Sequence, residues 1–291
     1  MAEFSYIRAG EVSEALALLN QPDYTSRPLA GSTDLILLLR NRPGWCDRVV
    51  DITLIPELHR ITREGDIVTI GAAATFTEIL SNPIIQATAP LLVQACATVG
   101  AVQIRNVATI GGNVANAAAC ADSLPALVCL DAVARVLVPT QAFSWPVAEL
   151  VVKPNQTIIP PGGLLESLSY AVPAPGSRSY FNKLGRRKAM AISRLTVAVL
   201  GRVDEMGTIV ETRIVTGSAT PHICRLAEAE AVLVGHQPSQ ALFTAAGRTV
   251  ADEMIRLSGR RWSTEFKEPA VMAMTAQALA QIFDAQEPEV A

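Results

Sequence analysis

The 291-residue chain is short of aromatic side chains and nearly balanced in charge. Only 5% of its residues are Phe, Trp or Tyr although 50% are apolar, so the core has to consist mainly of Ala, Val, Leu and Ile. The 24 Lys and Arg residues face 27 Asp and Glu residues, which gives a net charge of −3. Such a chain has no broad positive field for a polyphosphate, so nucleic acid is not expected as a partner. The apolar content also argues against disorder.

Cysteine and histidine are too sparse for a metal site. No two of the five cysteines have CxxC spacing, which argues against a zinc site, a disulfide framework or an iron–sulfur cluster held by this chain. His59, His222 and His236 have no carboxylate at metal-ligand spacing. We therefore predict no metal site, and we expect the protein in the cytoplasm, where thiols stay reduced.

Signals for secretion and for membrane insertion are also missing. The first residues contain no basic region followed by an apolar run, so no secretory signal is expected. Between Glu78 and Arg105 there is no formal charge, a stretch long enough to cross a bilayer. Its prolines, glutamines and threonines do not suit a lipid-exposed helix. We predict a loop followed by a buried helix there, and no membrane span.

Proline and glycine mark one internal boundary. The stretch Lys153–Gly176 holds five prolines and three glycines, which predicts domains at 1–175 and 176–291. Strands and helices interleave before it, whereas antiparallel strands precede helices after it, so we predict an α+β fold. The antiparallel strands are predicted at Leu195–Leu200, Thr208–Val210 and Arg213–Thr216.

A glycine-rich passage is the most informative part of the chain. Thr109-Ile110-Gly111-Gly112-Asn113 combines adjacent glycines with a hydroxyl and an amide. Adjacent glycines allow a ligand to approach the backbone and expose N–H groups to phosphate oxygens. Asp122, nine residues further on, suits a ribose hydroxyl. On these residues alone, short glycine motifs more often mark a tight turn, and Asp122 would then merely precede a helix that Ser123 caps.

A second loop has the same chemistry. Ala30-Gly31-Ser32-Thr33-Asp34 places a glycine and two hydroxyls just before an apolar run, although Ser32 or Thr33 could simply cap a helix. Two such loops, with no GxxxxGK and no GxGxxG, favour a long diphosphate cofactor outside the P-loop and Rossmann schemes. FAD is the usual candidate.

Three segments together resemble the FAD-binding medium subunit of molybdenum hydroxylases. These are Ala-Gly-Ser-Thr-Asp-Leu at 30–35, Ile-Arg-Asn-x-Ala-Thr-Ile-Gly-Gly-Asn at 104–113 with Ala-Asp-Ser-x-Pro-x-Leu at 121–127, and Phe-x-Lys-x-x-x-Arg at 181–187. The family includes the xanthine, carbon monoxide and nicotinate dehydrogenase types. Thr220-Pro221, Arg225 and Glu228 extend the likeness to nearly the whole chain.

The resemblance implies a fold, a function and partners. The fold would be a two-lobed FAD-binding domain of the vanillyl-alcohol-oxidase (PCMH-like) type, followed by an antiparallel sheet with helices like the carbon monoxide dehydrogenase flavoprotein C-terminal domain. The function would be electron transfer from an iron–sulfur subunit through FAD to an acceptor such as NAD+, in a complex with a molybdopterin-cofactor subunit. A self-sufficient reductase resembling the enolpyruvyl-UDP-sugar reductases, and a non-catalytic scaffold, are the alternatives.

The resemblance also implies which residues contact FAD, and none with a catalytic role. The loop Pro28–Leu35 would wrap the diphosphate, with a second wall from the glycine-rich passage. Asp122 would lie near ribose or ribityl hydroxyls, and Lys183 at the edge of the flavin, where a cation stabilises the reduced form. Val99 stands where some relatives have an aromatic residue. The full set is Pro28, Leu29, Ala30, Gly31, Ser32, Thr33, Asp34, Leu35, Val99, Thr109, Ile110, Gly111, Gly112, Asn113, Asp122 and Lys183.

One basic stretch departs from the family. Many members have acidic residues where Lys188 and Ala191 stand, near the nicotinamide side of the flavin. Arg186, Arg187 and Lys188 are three adjacent cations. They would face either a phosphate or an acidic partner, or else form a solvated turn before the next strand.

Overall fold

The structure, a computed structural model, describes residues 4–187 and 189–283. These residues cluster into two units, and each unit is assembled from separate stretches of chain. The first unit contains the described residues up to Gln86 together with Val99–Ala118 and Asp131–Val172. The second unit contains Ala87–Thr98, Ala119–Leu130 and the described residues from Pro173 onward.

The strands, in chain order, are β1 (Ser5–Arg8), β2 (Ser26–Leu29), β3 (Arg48–Asp51), β4 (Ile61–Glu64), β5 (Ile67–Gly71), β6 (Val133–Val138), β7 (Gln141–Pro146), β8 (Val151–Lys153), β9 (Gln156–Thr157), β10 (Leu164–Ala171), β11 (Arg178–Gly185), β12 (Ser193–Val203) and β13 (Ile209–Gly217). The helices are α1 (Val12–Leu19), α2 (Leu35–Asn41), α3 (Phe76–Ser81), α4 (Pro83–Thr88), α5 (Pro90–Ala97), α6 (Val102–Arg105), α7 (Ile110–Asn116), α8 (Ser123–Cys129), α9 (Val147–Leu150), α10 (Ala227–Leu233), α11 (Gln240–Ser258) and α12 (Thr264–Phe283), with a 3-10 turn at Pro56–His59.

The first unit contains two sheets of different type. A parallel sheet of order β1-β3-β2 is built by strand–helix–strand connections through α1 and α2. An antiparallel sheet has the order β4-β5-β10-β6-β7, and β8 pairs with β9 separately. Helix α1 buries Ala15 and Leu19 against the parallel sheet, as their helical spacing indicates. Two small lobes of this kind are what the sequence predicts.

The second unit is an antiparallel sheet of order β11-β12-β13 covered by helices. Val197 and Val199 of β12 belong to one buried cluster with residues of α10, α11 and α12. Thr196 and Ala198, which alternate with them, are buried as well, so both faces of β12 are covered. Helices α5 and α8 also contact this sheet. The predicted α+β class is confirmed.

The strands differ from the sequence prediction in three places. The stretch Lys153–Gly176 is not only a connection, because β10 lies within it and pairs on both sides at the centre of the antiparallel sheet. The predicted strands Thr208–Val210 and Arg213–Thr216 are one strand, β13. The intervening residues stay in the ladder, since Glu211 pairs with Arg202. Strand β11 has no counterpart in the sequence prediction.

The helix predictions also need correction. The segment from Glu78 to Arg105 is not a loop followed by one helix but contains most of α3 and all of α4, α5 and α6. Pro83 and Pro90 are the first residues of α4 and α5, where a missing N–H costs nothing. Ser123 is the first residue of α8, and Asp122 occupies the N-cap position without a side-chain cap bond. No helix of the described residues is long and apolar enough to cross a membrane.

Candidate functional site

The loop after β2 is pressed against the segment that precedes α7. A Cβ atom on Gly31 would lie 2.1 Å from the carbonyl oxygen of Val107 and 2.7 Å from the Cα atom of Ala108. Only glycine allows backbone to approach backbone so closely. The two loops that the sequence singles out, 28–35 and 109–113, are therefore neighbours within the first unit.

The first loop carries unpaired hydrogen-bond donors. Among the described residues, no partner is found for the N–H groups of Gly31, Ser32 and Thr33, or for the hydroxyls of Ser32 and Thr33. Ser32 has φ of 55°, an unusual value for a residue other than glycine. A change in the sign of φ makes successive N–H groups converge, which is how backbone binds anions. The strained conformation and the free donors together fit a diphosphate.

The second loop is different, because its N–H groups are already bonded inside the chain. All four N–H groups of residues 110–113 have intramolecular acceptors. Gly111 donates to the carbonyl of Ala72 at 2.9 Å, and Gly112 donates to Oγ1 of Thr109 at 3.1 Å. The glycine-rich passage therefore shapes the site and anchors it, while the first loop holds the free backbone donors.

The two adjacent glycines have separate reasons to be glycine. A Cβ atom on Gly111 would lie 2.4 Å from Cβ and 2.5 Å from the carbonyl oxygen of Ala72, so packing within the protein excludes a side chain there. A Cβ atom on Gly112 would meet only Oγ1 of Thr109, at 2.8 Å, and Gly112 is exposed. Protein packing alone does not require glycine at position 112. A ligand lying against the backbone would.

Sequence reasoning missed the segment that holds the second loop. The carbonyl of Ala74 accepts a hydrogen bond from the N–H of Ile110, and the carbonyl of Ala72 accepts one from Gly111. Thr75 forms a β-bridge with Thr109. Three consecutive buried alanines follow β5, and that run of small residues was the available signal of a close backbone approach.

The remaining predicted contacts of the first unit lie around these loops. Pro28 and Leu29 end β2, and Leu35 begins α2. Asp34 is exposed at the N-cap position of α2 and makes no cap bond. Val99 is half-buried, and its carbonyl accepts a hydrogen bond from Arg105 at 2.9 Å.

The second unit contains a buried ion pair. Oδ2 of Asp122 lies 2.5 Å from Nζ of Lys183, and Oδ1 accepts a hydrogen bond from the Ser193 hydroxyl. Asp122 is only 6% exposed. Burial raises the pKa of the Asp122 carboxyl, and the hydrogen bonds from Lys183 and Ser193 oppose that rise. Asp122 thus links Lys183, near the end of β11, to Ser193, the first residue of β12.

The Lys183 ammonium has one N–H group for which the described residues provide no acceptor. Its ammonium donates to Asp122 and, at 2.9 Å, to the carbonyl of Thr98, and an ammonium carries three N–H groups. Its position is fixed by β11, where it pairs with Thr196 of β12. The sequence alone did not indicate that Ser193 and Thr98 are partners of this pair.

The basic stretch is less free than its sequence indicates. The Arg187 guanidinium donates to the carbonyls of Ala189 and Met190, at 3.1 Å from Nε in each case, and so closes its own turn. Arg186 is exposed, and Lys188 lies outside the described residues.

Neither cysteines nor other residues form a metal centre in the part of the chain that the structure describes. No cluster of three His, Cys, Asp or Glu residues with metal-binding geometry occurs among residues 4–187 and 189–283. The cysteines are free thiols at positions 46, 96, 120, 129 and 224.

Two family descriptions match consecutive parts of the chain. Residues 2–175 match the FAD binding domain in molybdopterin dehydrogenase, and residues 179–282 match the carbon monoxide dehydrogenase flavoprotein C-terminal domain. Together they account for nearly all of the sequence.

Known proteins resemble the chain over its full length. The putative xanthine dehydrogenase FAD-binding subunit of Escherichia coli K12 is 30% identical over 280 residues, 95% of each chain. The glyceraldehyde dehydrogenase medium chain of Sulfolobus acidocaldarius is 28% identical, covering 96% of this chain and 98% of that one. A chain of the carbon monoxide dehydrogenase of Hydrogenophaga pseudoflava superposes with a TM-score of 0.89 at 27% identity, covering 97% of this chain and 98% of that one. The chain belongs to the family of FAD-binding medium subunits of the molybdenum hydroxylases.

Proposed function

We propose that this chain holds FAD with its diphosphate on the loop Pro28–Leu35 and relays electrons from an iron–sulfur subunit to an acceptor such as NAD+. The observation that carries the proposal is the set of unpaired N–H groups at Gly31, Ser32 and Thr33. A diphosphate supplies several oxygen acceptors, and free backbone donors in a strained loop match it without a cation. Thr109 and Gly112 would form the opposite wall.

Lys183 is the residue that would tune the flavin. Bound FAD supplies reversible electron uptake, which the side chains of the protein do not. Lys183 has a third N–H and a positive charge, so it would donate to a flavin acceptor atom and favour negative charge there. Asp122 would act as a positioning residue, because both of its oxygens already bind Lys183 and Ser193.

The proposed assembly includes an iron–sulfur subunit and a molybdopterin-cofactor subunit. Relatives carry names such as nicotinate dehydrogenase FAD-subunit and 6-hydroxypseudooxynicotine dehydrogenase complex subunit alpha, which describe parts of larger enzymes. We also propose that the boundary between the two sequence domains lies near residue 175, and that the protein works in the cytoplasm. Free, scattered thiols fit a reducing compartment.

Reoxidation of the reduced holoprotein tests the relay. The protein is purified from its native host under mild conditions, and its visible spectrum is recorded for flavin bands near about 370 and 450 nm. It is then reduced with one equivalent of dithionite without oxygen and mixed with NAD+. We expect partner chains to co-purify, and the flavin bands to return as NADH forms.

The other outcomes separate the alternatives. Reoxidation by an artificial dye but not by NAD+ would reject the nicotinamide acceptor. Flavin on a lone chain that turns over NADH without partners would favour a self-sufficient reductase. Flavin-free protein that also fails to take up added FAD would favour a scaffold.

A further inference from the structure

A group of large apolar side chains stands in water on the second unit. Trp262 is 86% exposed, Phe266 is 54% exposed and Ile192 is 76% exposed. Aromatic side chains each offer about 150–250 Å² of surface, so Trp262 and Phe266 together expose a large apolar area. Single exposed apolar residues are ordinary, but a group of them marks an interaction site.

Trp262 and Phe266 line one cleft. Arg194, Trp262, Ser263, Glu265, Phe266 and Lys267 line a cavity of about 310 Å³. Ile192 stands two positions before Arg194, so it adjoins the cleft along the chain. We call this area, from Ile192 and Arg194 to Trp262, Phe266 and Lys267, the Trp262 surface.

The charge on the Trp262 surface is mainly positive, because the cleft is lined by two cations, Arg194 and Lys267, and by one carboxylate, Glu265. The guanidinium of Arg194 makes no ion pair or hydrogen bond with any residue that the structure describes. Burial lowers the pKa of Lys267 most, and the positive charges of Arg261 and Arg194 lower it further. The Lys267 ammonium donates a hydrogen bond to the carbonyl of Ser218, which is a neutral partner. Glu265 is the acidic residue lining the cleft. An acidic group placed here would relieve the repulsion among the cations.

The shape of the cleft favours a macromolecule over a small ligand. Its volume is at the lower limit for small-molecule pockets, which usually bury most of the ligand between their walls. Trp262, however, stands almost wholly in solvent, so the cleft leaves its ring uncovered. Exposed Trp next to Arg is the composition of the energetic centre of a protein interface.

We propose that the Trp262 surface is where an acidic face of a partner subunit of the hydroxylase complex docks, with Trp262 as the apolar anchor and Arg194 as the charged one. This rests on the proposed function, because it requires the complex to exist. Carboxylates of the partner would pair with Arg194 and Lys267, and apolar atoms of the partner would cover Trp262. Burial of the apolar contact supplies affinity, and the charge pairs supply specificity and a faster association.

Oxidative footprinting of the native complex tests the proposal. Hydroxyl radicals label exposed Trp and Met side chains, and mass spectrometry then gives the labelling of Trp262 in the complex and in the isolated chain. Met206, 82% exposed in the turn between β12 and β13, is the control. It lies about 30 Å along the hairpin from Arg194, at about 3.3 Å per residue. We expect labelling of Trp262 to fall at least about fivefold in the complex relative to Met206.

Two variants give a second readout. Trp262→Ala and Arg194→Glu should each raise the dissociation constant of the complex at least about tenfold, and Met206→Ala should leave it unchanged. Affinity of the wild type should also fall steeply between about 0.1 and 1 M salt, since screening weakens charge pairs. Flavin content and thermal stability should not change, because Trp262 and Met206 are exposed and the half-buried Arg194 has no side-chain partner among the described residues.

Each other outcome has a definite meaning. A wild-type chain that co-purifies with no partner defeats the proposed function itself. A complex that forms but leaves Trp262 as reactive as in the free chain defeats only the docking surface. Protection of Trp262 in the isolated chain that increases with its concentration would assign the surface to a second copy. Protection of the isolated chain by small aromatic anions would assign it to a ligand site.

Discussion

The variant Gly112→Ala tests whether position 112 must be glycine for FAD binding and not for folding. The new methyl group meets only Oγ1 of Thr109, at 2.8 Å. Loss of that N-cap bond costs about 1 kcal/mol, and replacement of glycine by alanine in a helix returns up to about 1 kcal/mol. We therefore expect the stability of the flavin-free protein to change by less than about 0.5 kcal/mol. FAD affinity should fall at least about tenfold, or about 1.4 kcal/mol.

Gly31→Ala should act on both properties. Its Cβ atom would lie 2.1 Å from a backbone oxygen, about 1 Å closer than atoms tolerate, and neither backbone can rotate away. The loops must separate, at a cost of about 1–3 kcal/mol. The matched control is Gly10→Ala, because a Cβ atom there would meet only Oε2 of Glu14, at 3.6 Å.

The assay combines FAD titration with urea unfolding of the flavin-free forms of the three variants. Unchanged FAD affinity in Gly112→Ala would show that the diphosphate does not lie against that glycine. Unchanged stability in Gly31→Ala would refute the close approach of the two loops. A loss of flavin in Gly10→Ala would mean that the measurement reports general damage.

Three further changes probe the ion pair and the parallel sheet. Lys183→Ala should still bind FAD but lower the reduction potential of the flavin, by about 30 mV if the ammonium contributes about 1.4 kcal/mol to the two-electron couple. If dye equilibration gives the same potential for the variant and the wild type, Lys183 does not act on the flavin. Asp122→Asn leaves that ammonium buried without its counterion and should cost about 3 kcal/mol in urea unfolding, with part of the loss recovered when Lys183→Met is added. Burial raises the pKa of Asp51, but hydrogen bonds from Thr53, Tyr6 and Arg8 outweigh it, so the pKa of Asp51 in the folded protein is lower than usual. The ionised Asp51 therefore stabilises the fold above the unfolded pKa of about 3.9, and this contribution is lost as pH falls through the lower folded pKa. In Asp51→Asn the free energy of unfolding should accordingly fall less steeply than in the wild type as pH drops below about 4. The same pH dependence in the variant and the wild type would contradict this account.

The sequence was most informative where local chemistry is decisive. Glycines and hydroxyls in two loops pointed to FAD, which the family match confirms. The sequence could not show which loop has N–H groups available for a ligand, because that depends on which of these groups are already bonded to acceptors within the protein. The acceptors for residues 110 and 111 lie at Ala74 and Ala72, more than thirty positions earlier in the chain.

Other features stayed hidden for similar reasons. Asp122 and Lys183 are 61 positions apart, so nothing local shows that they pair. Strand β10 was obscured by the prolines and glycines around it, although Leu168 and Tyr170 alternate as buried strand residues do. Helix α4 lies where the sequence predicts a loop, and Pro83 is tolerated in it because it is the first residue of the helix.

The discontinuous second unit has a consequence for how this protein can be made and divided. Helices α5 and α8 come from the middle of the chain, yet they contact strands that follow Pro173. A Cβ atom on Gly217 of β13 would lie 2.8 Å from Cγ of Pro125 in α8, so the fit is tight. During synthesis both helices leave the ribosome before any strand of the sheet that they cover. They can pack only after that sheet has been synthesised. A gene cut at the proline-rich stretch would produce a sheet without two of its helices, so the two halves cannot be shuffled or expressed as independent modules.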